Sequence, residues 1–190
     1  LMEMENPARE LESIIRKIPD ACKSGATISI VIISPVNIRC FWKGDSTIKI
    51  YKNDEQYMTC NNHNNENETE VARVGNMGIT RKIDWRPEII SADKITMVPS
   101  PYFMLEFNKE RGLWDQTNMT NCLGHNNLLG DYIEEKTIPL TSGDEWTVLV
   151  ASDGFWDIVA PEDTFIQRMN DCGELTDFAK SRWNQDWTYV

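Results

Sequence analysis

Trp146-Thr-Val-Leu-Val-Ala-Ser-Asp-Gly-Phe-Trp-Asp157 is the stretch on which the fold turns. Its first half reads as an apolar strand, and the strand stops abruptly at Ser152-Asp153-Gly154. A strand end whose turn carries two carboxylates four residues apart, Asp153 and Asp157, can hold a hard cation if other acidic residues converge on it. Asp45 and Asp186 are the candidates for that convergence. Each is read as the aspartate that buried β-structure delivers to a strand end.

Working outward, 190 residues of which 41% are hydrophobic suffice for one domain with a substantial core. The net charge of −11 argues against a nucleic-acid surface, which needs clustered Lys and Arg. Acidity by itself describes a solvated surface and implies no metal. The apolar run Ile28 to Ile33 falls far short of the roughly 20 residues that span a bilayer, so no membrane partner is expected and no signal peptide is read. The five cysteines Cys22, Cys40, Cys60, Cys122 and Cys172 form no C-x-x-C pair and no even set. A reducing intracellular compartment, the cytoplasm or another, fits them best. The sequons at Asn67 and Asn118 then carry no meaning.

Along the chain, Leu11, Ile14, Ile15 and Ile18 at helical spacing predict a helix from about Pro7 to Ile18 with Asn6 as its cap. Thr27 to Ser34 and Ile38 to Trp42 read as a strand hairpin around Pro35 to Asn37. After Gly44-Asp45-Ser46, the alternation of Thr47 to Tyr51 predicts a half-exposed strand. Residues from Asn53 to Glu70 look like an Asn- and Glu-rich linker, with a short helix over Glu66 to Val74 that turns Val71 and Val74 inward. From Gly75 to Cys122 the prolines and glycines leave little periodicity, and an irregular flap subdomain is expected there within a single domain of residues 1–190. Tyr132 to Leu140 and Glu145 to Ala151 read as strands, Ala160 to Asn170 and Leu175 to Trp183 as helices, and Asp186 to Val190 as the start of a strand. A chain beginning at Leu1 and stopping inside such a strand is expected to be an incomplete domain.

These landmarks resemble, in order, those of the metal-dependent serine/threonine protein phosphatases of type 2C. Ser24-Gly25-Ala26-Thr27 enters a strand as the family's Ser-Gly-x-Thr-Ala does, and Gly44-Asp45-Ser46 matches its Gly-Asp-Ser. Met58-Thr59-Cys60-Asn61-Asn62-His63, with Glu70 and Arg73 downstream, echoes Leu-Thr-x-Asp-His. Leu129-Gly130-Asp131 precedes a strand, Ala151-Ser152-Asp153-Gly154-Phe155-Trp156-Asp157 is the most specific match, and Asp186-Trp187-Thr188 approximates a closing Asp-Asn-x-Thr.

The resemblance implies an α+β fold of two antiparallel sheets packed as a sandwich with helices outside. It implies hydrolysis of phosphoserine and phosphothreonine in a phosphoprotein substrate, by a water activated on two Mg²⁺ or Mn²⁺ ions, with a third weaker site. Asp153 and Asp186 would ligate the core pair, and Asp45 and Asp157 would join Asp153 around the third ion. No residue of the chain is assigned as catalytic. The family's Asp-Gly-His-Gly motif and an earlier Glu-Asp pair, which supply much of the metal site, are not in this sequence, and Asn62, Asn127 and Trp187 depart from its pattern. His63 and His125 are read as structural or exposed, and Trp42, Trp146 and Trp156 as core residues. The alternative is a catalytically inactive phosphatase-like module that binds or scaffolds within a larger assembly.

Overall fold

β-Branched and aromatic residues in alternation put six strands where two apolar faces can meet. The computed structural model describes residues 9–10, 13–14, 17, 24–91, 94–124, 130, 132–160, 162–169 and 171–186. Strand β1 (Gly25–Ala26) leads into β2 (Ile28–Ile33), which folds back on β3 (Asn37–Lys43). β4 (Thr47–Lys52) and β5 (Glu55–Thr59) make the next hairpin, and helix α1 (Glu68–Asn76) follows. Three long strands then run as β6 (Thr80–Ser91), β7 (Lys94–Asn108) and β8 (Leu113–Thr117). β9 (Leu123–Gly124), β10 (Glu134–Pro139) and β11 (Trp146–Ala151) precede helices α2 (Asp153–Trp156) and α3 (Cys172–Asp186).

Antiparallel pairing builds one sheet in the order β10-β3-β2 and a second in the order β11-β4-β5. Ile38, Cys40 and Trp42 of β3 face Ile48 and Ile50 of β4 across a buried core that Cys60 and Ile138 complete. Val31, Met58, Leu140, Trp146 and Val148 pack against its rim. The chain is therefore mixed helix and antiparallel sheet, with two sheets sharing one core. Among the described residues no helix is long and apolar enough to cross a membrane.

Several local expectations are corrected. β4 is not half-exposed: Thr47, Ile48, Ile50 and Tyr51 are buried, and the ammonium of Lys49 lies under the Trp156 ring, 4.1 Å from its centroid. The Asn-rich stretch after it begins as a tight hairpin, with φ of 51° at Asn53 and 66° at Asp54. Two successive residues at positive φ give the turn whose twist matches its strands, and Asn and Asp tolerate it best among side-chain-bearing residues. Helix α1 follows its expectation: Val74 is buried, Val71 packs beside it, and the Asn67 side chain caps the helix by accepting the Glu70 N–H at 3.4 Å.

Strands β6, β7 and β8 form an antiparallel sheet, with register shifts at Ile89/Ser91 and Met104/Phe107, where an irregular flap is expected. Pro87 lies on the edge strand β6, and Pro99 and Pro101 precede the point, Phe103, at which β8 begins to pair with β7. A strand with an open edge tolerates a residue that cannot donate, so the prolines that hide the period do not break the sheet. Between Ala160 and Asn170 the described residues hold only a 3-10 turn at Ile166–Arg168. There the Asp163 carboxylate takes the Ala160 N–H at 2.8 Å and the Arg182 guanidinium at 2.8 and 2.9 Å, which favours a turn over helix. Of the expected first helix, Arg9, Glu10, Ser13 and Ile14 are described and are helical. Leu175 to Trp183 lies within α3; Asp186 is the last residue of that helix and does not open a strand. Trp187 to Val190 lie outside the described residues.

Candidate metal-binding cleft

One end of the second sheet opens on a cleft of about 680 Å³. Its sandwich wall is the turn between β3 and β4 together with helix α2, and its facing wall comes from the loop before α1 and from β6. Asp45, Asp153 and Asp157 line it together with Glu66, Arg86 and Glu88.

The Asp45 turn is set by its glycine. Gly44 has φ of +111°, and a Cβ there would lie 2.5 Å from the Thr27 Cγ2. Its N–H donates to His63 Nδ1 at 3.0 Å, and the His63 N–H donates back to the Gly44 carbonyl at 2.9 Å. Burial pushes the His63 pKa down to about 4; Glu70 opposes this, and Lys43 and Arg73 add to it. The ring is therefore neutral, with its proton on Nε2 because Nδ1 accepts. This is a structural histidine, as expected; His125 lies outside the described residues. Ser46 is tied to β1–β2 by its hydroxyl contact with Thr27 at 2.6 Å. Thr47 is tied to Asn62, whose amide donates to the Thr47 hydroxyl at 2.8 Å.

Helix α2 is a single turn, pinned to the same sheet end by Trp156. The indole N–H points at the carbonyls of Thr47 and Ala151, 3.2 Å from each. That contact brings Asp153 and Asp157 alongside Asp45 from 108 and 112 residues away in sequence. Asp153 accepts the Gly154 N–H at 2.8 Å.

Asp45 is buried, and its pKa rises to about 6. Burial is the largest cause, followed by the carboxylate of Asp153; its own backbone N–H pulls the other way, and Asp157 and Glu66 add to the rise. The pKa of Asp157 is also raised, first by burial, against the opposing pull of Arg86, with Asp153, Glu66 and Glu88 adding to it. Negative charge is thus in surplus in the cleft. The cationic side chains among its lining residues are Lys49, over Trp156, and Arg86, which pairs with Glu66 and reaches within 4.0 Å of Asp157.

The structure therefore brings together Asp45, Asp153 and Asp157 of the expected ligands. It places Asp186 at the end of α3, where only its backbone is described. Glu66, Arg86 and Glu88 were not anticipated. Arg86 and Glu88 sit two residues apart on one face of a strand whose period the flanking prolines obscure, so nothing local marks them.

The family described as Protein phosphatase 2C matches residues 4–85. The solved serine-threonine phosphatase 2C from Toxoplasma gondii superposes with a TM-score of 0.63 at 15% identity, covering 95% of this chain and 59% of that one. The chain has the fold of a type 2C phosphatase, and the family match falls on its first 85 residues. A sex-determining protein from C. elegans also superposes on this type 2C-like chain, with a TM-score of 0.52 at 21% identity, over 80% of this chain and 33% of that one. The chain spans about three fifths of the first structure's length and a third of the second's. No curated protein matches the sequence.

Metal dependence is general to type 2C phosphatases, and the cleft can be tested for its fit to such a cation. Among the described residues no three His, Cys, Asp or Glu side chains are grouped closely enough to enclose an ion by themselves. Mg²⁺ does not require that, since it keeps several waters and is held through one or two carboxylates. Hard oxygen donors in a cleft with unbalanced negative charge, one of them on a buried aspartate whose ionisation a cation would favour, fit a hydrated divalent ion in kind.

Proposed function

We propose that this protein is a Mg²⁺- or Mn²⁺-dependent phosphatase acting on phosphoserine and phosphothreonine in proteins. The observation that carries this reading is the convergence of Asp45, Asp153 and Asp157 on one cleft from two separate strand ends. Asp153, which opens α2, and Asp157, which follows it, would hold metal together with Asp45, and Asp186 would complete the core pair. Bound there, divalent ions supply a hydroxide nucleophile at neutral pH and neutralise phosphoryl oxygens. The chain's own residues do the positioning. Trp156 fixes α2 against the sheet, Gly44 and His63 fix the turn that aims Asp45, and Thr47 with Asn62 holds the loop beneath.

The test is Mn²⁺-dependent hydrolysis of a phosphothreonine peptide by the full-length protein beside its Asp153→Asn variant. Metal-dependent turnover is expected, falling by at least about a hundredfold in the variant, because a neutral amide oxygen holds a divalent ion far more weakly than a charged carboxylate. Folded protein in ample Mn²⁺ that turns over no faster than the variant removes the reading. One observation favours a second reading, a non-catalytic module that binds or scaffolds in a larger assembly: the described carboxylates alone do not enclose an ion. Folded, metal-saturated protein that retains phosphopeptide without hydrolysing it supports that alternative.

A further inference from the structure

Arg86 stands on β6, in the sheet that forms the far wall of the cleft, and its guanidinium reaches into a space lined by six carboxylates, several asparagines and Lys49. Its Nη2 pairs with Glu66 Oε1, and its Nη1 lies 4.0 Å from Asp157 Oδ2. Trp85, its neighbour in the strand, is exposed, while Glu88, two residues on, lines the cleft with it. Pro87 lines the cleft between them, and the contact with Asp157 shows the cation aimed across the gap towards the Asp153 turn.

A structural tie explains this placement poorly. The Glu66 side chain is 58% exposed and that of Arg86 35%, and an ion pair so open to water contributes little to stability. The chemistry suits another role. A guanidinium offers a planar fork of donors that matches a carboxylate or a phosphoryl group equally well, and the doubly charged phosphoryl group attracts it more strongly. The other cation of the cleft, Lys49, is partly buried beneath Trp156, and burial lowers its pKa.

We propose that Arg86 positions the phosphoryl group of the substrate, with the Glu66 carboxylate occupying its fork until substrate arrives. The proposal rests on the phosphatase reading above and adds to it a residue from outside the metal-bearing turns. It predicts opposite signs for the two partners of one ion pair. Removing Arg86 weakens phosphate binding, and removing the charge of Glu66 strengthens it, because the fork is no longer occupied. A purely structural pair predicts no such opposition.

The experiment measures binding of inorganic phosphate to the Mn²⁺-loaded full-length protein by calorimetry, alongside steady-state kinetics on a phosphothreonine peptide. For Arg86→Gln, phosphate affinity is expected to fall about ten- to a hundredfold, with KM rising in parallel and kcat within a few-fold. Arg86→Lys, which keeps the charge and loses the fork, lies between, and Glu66→Gln binds phosphate several-fold more tightly than the unaltered protein. Unchanged phosphate affinity in folded Arg86→Gln, or weaker binding in Glu66→Gln, overturns the proposal. The two readings fail separately. Arg86-dependent phosphate binding without turnover sustains the role of Arg86 and removes the phosphatase, whereas turnover with Arg86-independent phosphate binding does the reverse.

Discussion

The two walls of the cleft are both antiparallel sheet, and they are held in different ways. In the sandwich, Ile38, Cys40, Ile48, Ile50 and Ile138 are sealed in one core, and the strand pairing serves that burial. In the β6-β7-β8 sheet, Ile83, Trp85, Ile95, Met97, Leu113 and Trp114 are exposed, and Phe103 is the buried anchor, packed with Val74 and Cys122. One wall is fixed by side chains excluded from water and the other chiefly by its backbone ladder. The first kind of order writes a period into the sequence; the second does not have to.

That contrast can be broken most directly by truncating side chains in each wall. Ile48→Ala should lower unfolding free energy by about 2–5 kcal/mol in urea denaturation, since the residue is fully enclosed and the core cannot collapse around the void. A loss below about 1 kcal/mol would mean that the sandwich is no better packed than the outer sheet.

The next test is electrostatic and concerns the sandwich wall alone. The Asp45 pKa rises from the ordinary 3.8 to about 6 on folding, so ionising it costs the folded state. Its contribution to stability is complete below the lower value and is lost as pH rises through the higher one. Asp45→Asn should therefore stabilise the chelated protein by about 1–3 kcal/mol at pH 7.5 and by nothing at pH 3.5, read from denaturation midpoints at each pH. Equal stability at both pH values would show that Asp45 is not strained by its neighbours.

The smallest effect belongs to the outer sheet. Ile83→Ser and Trp85→Ser should each change stability by no more than about 0.5 kcal/mol, because both side chains are already in water. A loss of 2 kcal/mol or more in either would reveal that this face is covered, and would erase the distinction between the walls.

The same distinction explains what could be read from residues alone. The β2–β3 hairpin and β11 were legible as short, largely apolar runs bounded by turn residues, and helix α1 through Val71 and Val74, which pack on one side of it. Asp45, Asp153 and Asp157 were picked out by short turns in a recognisable order, and their meeting in one cleft needed only that both strands belong to one sheet. β4 misled because Lys49 looks solvent-facing until Trp156 covers it. The Asn53-Asp54 turn was lost within an Asn-rich stretch. Arg86 and Glu66 were out of reach because they meet across 20 residues of separation, through a sheet whose prolines disguise it. The 3-10 turn before α3 depends on Arg182 finding Asp163, a tertiary event with no local signature.

The glycine beneath the site has a consequence for descent. A side chain at position 44 would collide with Thr27 and hold an unfavourable backbone angle, whatever the protein does. Asp45 carries the opposite constraint: its ionised form costs the folded state, and only the proposed metal role gives that charge a use. On the proposed function, a lineage that abandons catalysis gains by dropping the aspartate, yet must keep the glycine to keep the hairpin. Across diverging copies, residue 44 records ancestry and residue 45 records employment.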